Sequence, residues 1–288
     1  MTNKKPTLSV VVPCYNEEAA VAACLEALIA QESDIDEIII VDNNSTDKTR
    51  SIVQSYMEQH PKIRLLSEQR QGVQFARNCG FDAAKSDIIA RIDVDTIVDP
   101  GWAKTLAEYY SLPENEKVGA ASSPVWYYDL PFPRITNFFA NIFIFDMNRK
   151  SSSAHPPMTG SNTSLRRGTW EAVRSKVCME PGIMEDMDIG FHSNKDGYKV
   201  EYIPNARVGI SGRRMRMSPL RMWKYNRQCW MTYLHHGYPN EARKIKVFIA
   251  LGNVMHVFAW VALLFYNPST NRFSIIPRYD REKERVIP

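Results

Sequence analysis

The sequence contains no G-x-G-x-x-G after its first apolar run and no G-x-x-x-x-G-K-[ST] anywhere. Phosphates are therefore not cradled on a glycine loop in the dinucleotide or P-loop manner. The five cysteines, at 14, 24, 79, 178 and 229, are odd in number, scattered, and free of any C-x-x-C pair. That excludes a disulfide framework and a zinc site, and fits a reducing compartment. The opening "MTNKKPTLSVVVP" lacks the apolar h-region and small-residue cleavage site of a secretion signal. Acids are scarce from Pro204 to Lys246, where Glu241 stands alone against ten Lys and Arg, and charge is absent from Val247 to Asn271. The basic stretch predicts an anionic partner: nucleic acid, phosphorylated substrate or lipid headgroup. The apolar run "VFIALGNVMHVFAWVALLFY", twenty residues long, favours a membrane among these, although Gly252, Asn253 and His256 weaken a simple span.

What is present is an alternation. "LSVVVP", "EIIIVD", "IRLLSE" and "DIIARID" are short apolar, β-branched runs, and three apolar-periodic helices, "EEAAVAACLEALIAQ", "TDKTRSIVQSYMEQH" and "GVQFARNCGFDAAK", separate them. Parallel strands joined by helical crossovers give an α/β open sheet, in which ligands bind beyond the carboxyl ends of the strands. The polar clusters "PCYNEE", "DNNSTD" and "DVD" fall at those ends. Each has a structural reading as well. Ser45 or Thr46 can cap a helix, the acids of "NEE" suit a first turn, and Asp99 with Pro100 reads as a helix start. Asp42 ends its strand before any cap is needed, and its carboxylate can accept hydrogen bonds from a base or ribose.

Asp93 and Asp95 flank one valine. In a strand i and i+2 share a face, so these carboxylates are expected to converge, which calls for a cation. Mg²⁺ takes oxygen ligands and is typically held by one or two carboxylates plus substrate phosphates. A second acidic cluster, "MEDMDIG", carries Glu185, Asp186 and Asp188; on a helix 185 and 188 share a face and 186 points elsewhere.

The stretches "VVVPCYNEE", "IIIVDNNSTDKT", "GVQFARNCG", "ARIDVDT", "GSNTSLRR" and "MEDMDIG" followed by "DGYKVEYIPNARV", in this order over residues 7–215, resemble the family 2 glycosyltransferases of GT-A fold. The resemblance implies a UDP- or GDP-sugar donor, a divalent cation (Mg or Mn), and transfer with inversion. It implies that Pro13, Tyr15, Glu17 and Asp42 line the nucleoside site, that Arg77 lies near the base, and that Asp93 and Asp95 hold the metal. It places the base that deprotonates the acceptor at Asp186. Gly160, Asn162 and Glu185 are expected around the sugar and acceptor, with backbone approach at Gly160, and Arg213 and Arg214 are expected to reach the diphosphate from a flexible loop or to face a membrane. The chain has "NRQCW" where many members carry Q-x-x-R-W, which disfavours a processive polysaccharide synthase.

The expected organisation is a catalytic domain over 1–218, with a nucleotide-binding half at about 7–100 and an acceptor half at about 101–218, then a helical membrane-associated region over 219–288. "FPRITNFFANIFIFDMNR" reads as a buried helix, or else as a guide for a lipid-linked acceptor. "SPLRMWKYNRQCWMTYLHHGY" interleaves aromatic and basic residues as interfacial helices do. A lipid or glycan acceptor, a membrane partner, no nucleic acid, and the cytoplasmic membrane face follow as expectations, the last from Lys244 and Lys246 before the apolar run. The alternatives are a nucleotidyltransferase of similar fold, an inactive nucleotide- or carbohydrate-binding module, and a peripheral-membrane scaffold.

Overall fold

The computed structural model describes residues 5–140, 158, 160–268 and 270–276. The first strands are β1 (Leu8–Cys14), β2 (Glu37–Asp42), β3 (Ile63–Ser67) and β4 (Ile88–Ile92), with helices α1 (Val21–Ile29), α2 (Thr49–Met57) and α3 (Val73–Ala83) between them. Every residue of β2 is buried, as expected of a parallel strand covered on both faces. Successive side chains alternate between two cores. Val10, Val12, Ile38, Ile40 and Ile92 pack with Leu25, Leu28 and Val53 of α1 and α2. Val11, Ile39, Val41 and Ile89 pack with Ala76 and Phe81 of α3. The runs read as strands are therefore runs with something apolar to bury on each side.

After β4 come β5 (Thr96–Val98), α4 (Trp102–Ser111), β6 (Val118–Ser122), β7 (Val125–Tyr127), α5 (Pro133–Ala140), β8 (Asn162–Arg166), α6 (Arg167–Val173), α7 (Glu185–Lys195), β9 (Lys199–Tyr202) and β10 (Val208–Ile210). The main sheet has seven strands in the order β3-β2-β1-β4-β8-β6-β9, and β5-β10-β7 form a smaller sheet. β1, β2, β3 and β4 are parallel, whereas β8 runs antiparallel to both β4 and β6. The chain winds from β1 out to β3 and returns to place β4 on the other side of β1. That reversal opens the crevice at the carboxyl ends of β1 and β4. A mostly parallel sheet flanked by helices matches the expected α/β class.

Two helices, α8 (Pro219–His235) and α9 (Pro239–Leu264), turn back on each other at Gly237 (φ +85°), and a short hairpin of β11 (Tyr266–Asn267) and β12 (Arg272–Phe273) follows. Met187 and Phe191 of α7 pack with Trp230, Tyr233, Ala242 and Ile245 of α8 and α9.

Three local expectations are corrected. Asp99 does not cap α4, which starts after Gly101 (φ +81°); the Asp99 carboxylate instead accepts the indole N–H of Trp126 (3.1 Å). Ser45 and Thr46 do not cap α2 but hydrogen-bond to Asn16 of the preceding loop. The start of the aromatic stretch forms α5, yet Ile135 and Phe138 are exposed rather than buried; residues 141–157 of that stretch lie outside the described residues.

Candidate active site

At the carboxyl ends of β1 and β2 the register sets Cys14 opposite Asp42. Asn16 and Asn44 turn the chain there with φ of +51° and +64°, a conformation Asn tolerates better than most residues. The two loops lock together: Ser45 Oγ accepts Asn16 N–H (3.0 Å), and Asn16 Oδ1 accepts Thr46 N–H (2.8 Å). Asp42 is buried and meets Arg50 Nη1 at 3.4 Å. Pro13 and Tyr15 are partly buried and Glu17 is buried in the same rim.

β4 ends at Ile92, so strand alternation does not place Asp93 and Asp95; they sit in a turn closed by Thr96 N–H to Asp93 C=O (3.1 Å). Both are 6% exposed, and each meets its own guanidinium. Arg91 Nη2 donates to Asp93 (2.8 Å). Arg213 donates from Nε to Asp95 (2.8 Å) and from Nη2 to Glu17 (2.6 Å), so one planar fork spans the first and fourth strand ends. Arg213 comes from a 3-10 turn, Gly212–Arg216. That turn is pinned rather than free, because the Asp129 carboxylate accepts the Ser211 hydroxyl (2.6 Å) and Gly212 N–H (2.5 Å). Arg214 leaves in the other direction, with its guanidinium on the Tyr225 hydroxyl (2.7 Å) and over the Tyr225 ring.

The second acidic cluster opens α7, where three acids in the first turn also suit the helix dipole. Their partners differ from the helical-face expectation. Glu185 lies 3.5 Å from Arg91 Nη1. Asp186 faces the same guanidinium: a Cβ added at Gly160 would stand 1.9 Å from Arg91 Nη1 and 2.9 Å from Asp186 Oδ2. A side chain at residue 160 would therefore have to displace the Arg91 guanidinium. Asp188 turns away. Its carboxylate accepts Cys178 N–H (2.7 Å) and sits 2.8 Å from His236 Nε2; burial raises its pKa, but these bonds and His192 hold it well below the usual carboxylate range.

Burial, then the charge of Glu185, pushes Asp186 up to about 6 against the opposing pull of Arg91. Arg77 is 1% exposed, and its Nε and Nη2 donate to Asn78 Oδ1 (3.0 and 2.6 Å) while its Nη1 has no hydrogen-bond partner. Burial lowers it to about 10, with Glu185 opposing the shift and Arg91 adding to it. The electrostatic neighbours of Arg77 are thus the second acidic cluster. Asn162 is not brought to the cleft: its amide accepts Trp102 Nε1–H (3.1 Å) and donates to the carbonyls of Pro124 (3.0 Å) and Ala206 (2.8 Å). The residue that the sequence reading missed is Arg91, which links Asp93 to Glu185. Its signal was present, because a charged residue inside the apolar strand "IIARI" must be paired when buried.

Among the described residues one group of three His and Asp side chains, Asp188, His235 and His236, has ligand atoms within 4.8 Å of one another. Lys195 Nζ lies 3.1 Å from His236 Nδ1, so an ammonium already meets that ring, and the group reads as a tie between α7 and α8. Glu17, Asp93 and Asp95 are different. They are hard oxygen donors that follow β1 and β4, and two of them, Glu17 and Asp95, already share a cation in Arg213. That donor set fits Mg²⁺ or Mn²⁺.

The chain is 38% identical over 106 residues to "Uncharacterized glycosyltransferase YibD" of Escherichia coli, and 37% identical over 100 residues to glycosyltransferase GlyG of Streptococcus pneumoniae. These stretches are 37% and 34% of this chain, and they span only about a third of either relative, 31% and 33%. In fold it is similar to the mannosyltransferase PcManGT of Pyrobaculum calidifontis, a complex with GDP-Man and Mn²⁺ (TM-score 0.62, 21% identity, 91% of this chain and 74% of that one). It is also similar to glucosyl-3-phosphoglycerate synthase of Mycobacterium tuberculosis, a complex with Mn²⁺, UDP and phosphoglyceric acid (TM-score 0.55, 19% identity, 81% and 80%). The model for "Glycosyl transferase family 2" matches residues 9–173, more than half of the 288, and the chain belongs to that family.

Proposed function

We propose that the protein transfers a hexosyl group, with inversion, from a UDP- or GDP-sugar to a hydroxyl of a lipid or lipid-linked acceptor at the cytoplasmic face of a membrane. The observation that carries this is Arg91: one buried guanidinium joins Asp93, beside the crevice at β1 and β4, to Glu185 and Asp186. This supports a reading in which Asp93, on the donor side, and the candidate base Asp186 work in one cleft.

Pro13, Tyr15, Glu17 and Asp42 would line the nucleoside, with Asp42 accepting from base or ribose. Asp95 and Asp93 would hold the divalent cation, whose chemistry is to offset charge growing on the diphosphate as the glycosidic bond breaks. Asp186, kept ionised above its raised pKa, would take the proton from the attacking hydroxyl. Gly160 leaves room for Arg91 and Asp186, and Arg213, once it leaves Asp95 and Glu17, has the fork to grip diphosphate oxygens. By function we divide the chain at 218/219, with residues 219–288 presenting the catalytic part to the acceptor.

The test is a screen of UDP- and GDP-sugars for release of nucleoside diphosphate with Mg²⁺ or Mn²⁺. We expect release that EDTA stops and that Asp95→Ala abolishes with the circular dichroism unchanged. Full turnover in EDTA would overturn the metal assignment, and release of pyrophosphate would identify a nucleotidyltransferase instead.

A further inference from the structure

Length and composition leave two placements open for α9: it is 26 residues long and apolar enough to cross a bilayer, yet a helix of that composition can also lie against protein. Its two faces decide. The inner face is attached to the catalytic body near its start, its middle and its end. Ala242 and Ile245 pack with Met187 and Phe191 near the start. In the middle His256 Nε2 lies 3.0 Å from the Met217 carbonyl, and Trp260 Nε1–H donates to the Arg216 carbonyl (3.2 Å). At the end Leu263 packs with Leu130 and Tyr266. The outer face carries Val247, Leu251, Val254, Phe258 and Val261, a 4-3-4-3 spacing, all exposed, with Leu251 at 64% and Phe258 at 73%.

We propose that this outer face of α9 docks on an anionic lipid surface with the helix lying in the plane of the membrane, half in lipid and half bound to its own protein. The proposal deepens the membrane reading above and rests on it. A spanning placement would pull His256 and Trp260 off their carbonyls and carry both polar groups into hydrocarbon, where polar groups need partners. An in-plane placement keeps both bonds and immerses only the exposed stripe.

The surface also says which partner. A seam for a second copy is narrow and flanked by charges that set its register. Here the flanks are Phe248, Met255 and Val257, all exposed, and no charge occurs from Val247 to Asn271. Charge collects instead in exposed Arg243, Lys244 and Lys246 at the start of α9 and in exposed Arg221, Lys224 and Arg227 on the neighbouring α8. A broad apolar strip beside a basic rim matches acyl chains beside anionic headgroups. The carbonyls that His256 and Trp260 meet belong to Arg216 and Met217, at the end of the turn that carries Arg213. A membrane on the outer face would therefore lie about one helix diameter, roughly 10–12 Å, from that turn.

Flotation of the full chain with phosphatidylcholine vesicles, with and without phosphatidylserine, tests this. We expect binding that needs phosphatidylserine at low salt and that alkaline carbonate reverses. Leu251→Asp with Phe258→Asp, both at exposed positions, should lower partitioning at least about tenfold with an unchanged thermal midpoint. Lys244→Glu with Lys246→Glu should reduce binding to the level seen on neutral vesicles. No flotation would overturn the docking surface and the membrane reading together, whereas equal flotation of the aspartate variant would overturn the docking surface and leave the membrane reading standing. Flotation that only detergent reverses would leave the membrane reading standing and overturn the in-plane placement. A wild-type dimer that the aspartate variant converts to monomer, with flotation unaffected, would make a second copy the occupant.

Discussion

Asp186 is one carboxylate whose surroundings set both its reactivity and its cost to the fold. Burial and Glu185 raise it to about 6 while Arg91 keeps it from rising further. In the proposed mechanism the ionised form is the base, so kcat/KM should rise with pH up to about 6 and level off above. Asp186→Asn keeps shape but cannot accept a proton; we expect kcat to fall about 10²–10⁴-fold with donor affinity little changed. The same shift has a stability sign. A carboxyl whose folded pKa lies above its unfolded value of about 3.9 destabilises the fold increasingly as pH rises from there, and fully above about 6, by roughly 3 kcal/mol at most. Asp186→Asn should therefore melt higher than wild type at pH 8 and equally at pH 4. Equal melting at pH 8 would show that the carboxylate is better compensated than its burial implies. Asp93, Asp95 and Asp186 stood out in the sequence because acids at strand ends and helix starts are visible locally. Arg91 was harder to see, since its partner Glu185 is brought to it only by folding, and Asn162 was misjudged because a polar side chain gives no sign of whether carbonyls or ligand will satisfy it.

At the level of elements, β1 to β4 were legible because each is an apolar run covered on both faces, and α1 to α3 because their apolar positions must face those strands. The start of α5 was not: its aromatic residues suggested burial, but Ile135 and Phe138 are exposed, and hydrophobicity alone does not say what an element packs against. Gly80 shows the packing constraint at its tightest. It lies inside α3, where glycine ordinarily costs about 1 kcal/mol relative to alanine. A Cβ there would stand 2.3 Å from Val11 Cγ1 and 3.0 Å from Val41 Cγ2, both in central strands. Overpacking at about 1–3 kcal/mol outweighs the gain in helix propensity. Gly80→Ala should lower the urea midpoint, and a midpoint that rises would mean α3 can lift from the sheet without loss.

For the molecule as a whole, a division at 218/219 by function is not a division by folding. The α8–α9 hairpin covers Met187 and Phe191 with Trp230, Tyr233, Ala242 and Ile245. Thr232 Oγ1 accepts Met184 N–H (2.9 Å) at the entrance to α7, directly before Glu185 and Asp186. His236 faces Asp188, which is 0% exposed. A chain ending at 218 would uncover two large apolar side chains at about 1.5–3 kcal/mol each, and would take from Asp188 its hydrogen bond to the His236 ring, worth about 1.5–3 kcal/mol for a bond to a charged group. These losses are comparable to the whole stability of a typical domain, about 5–15 kcal/mol. We expect a fragment of residues 1–218 to lose its cooperative thermal transition and to precipitate, whereas Leu251→Asp with Phe258→Asp in the full chain, which touches only the outer face of α9, should melt like wild type. A soluble fragment with the wild-type midpoint would show that α7 holds its geometry unaided. The proposed base, Asp186, would then be positioned by the sheet and Arg91 alone, with no contribution from the hairpin that packs behind it.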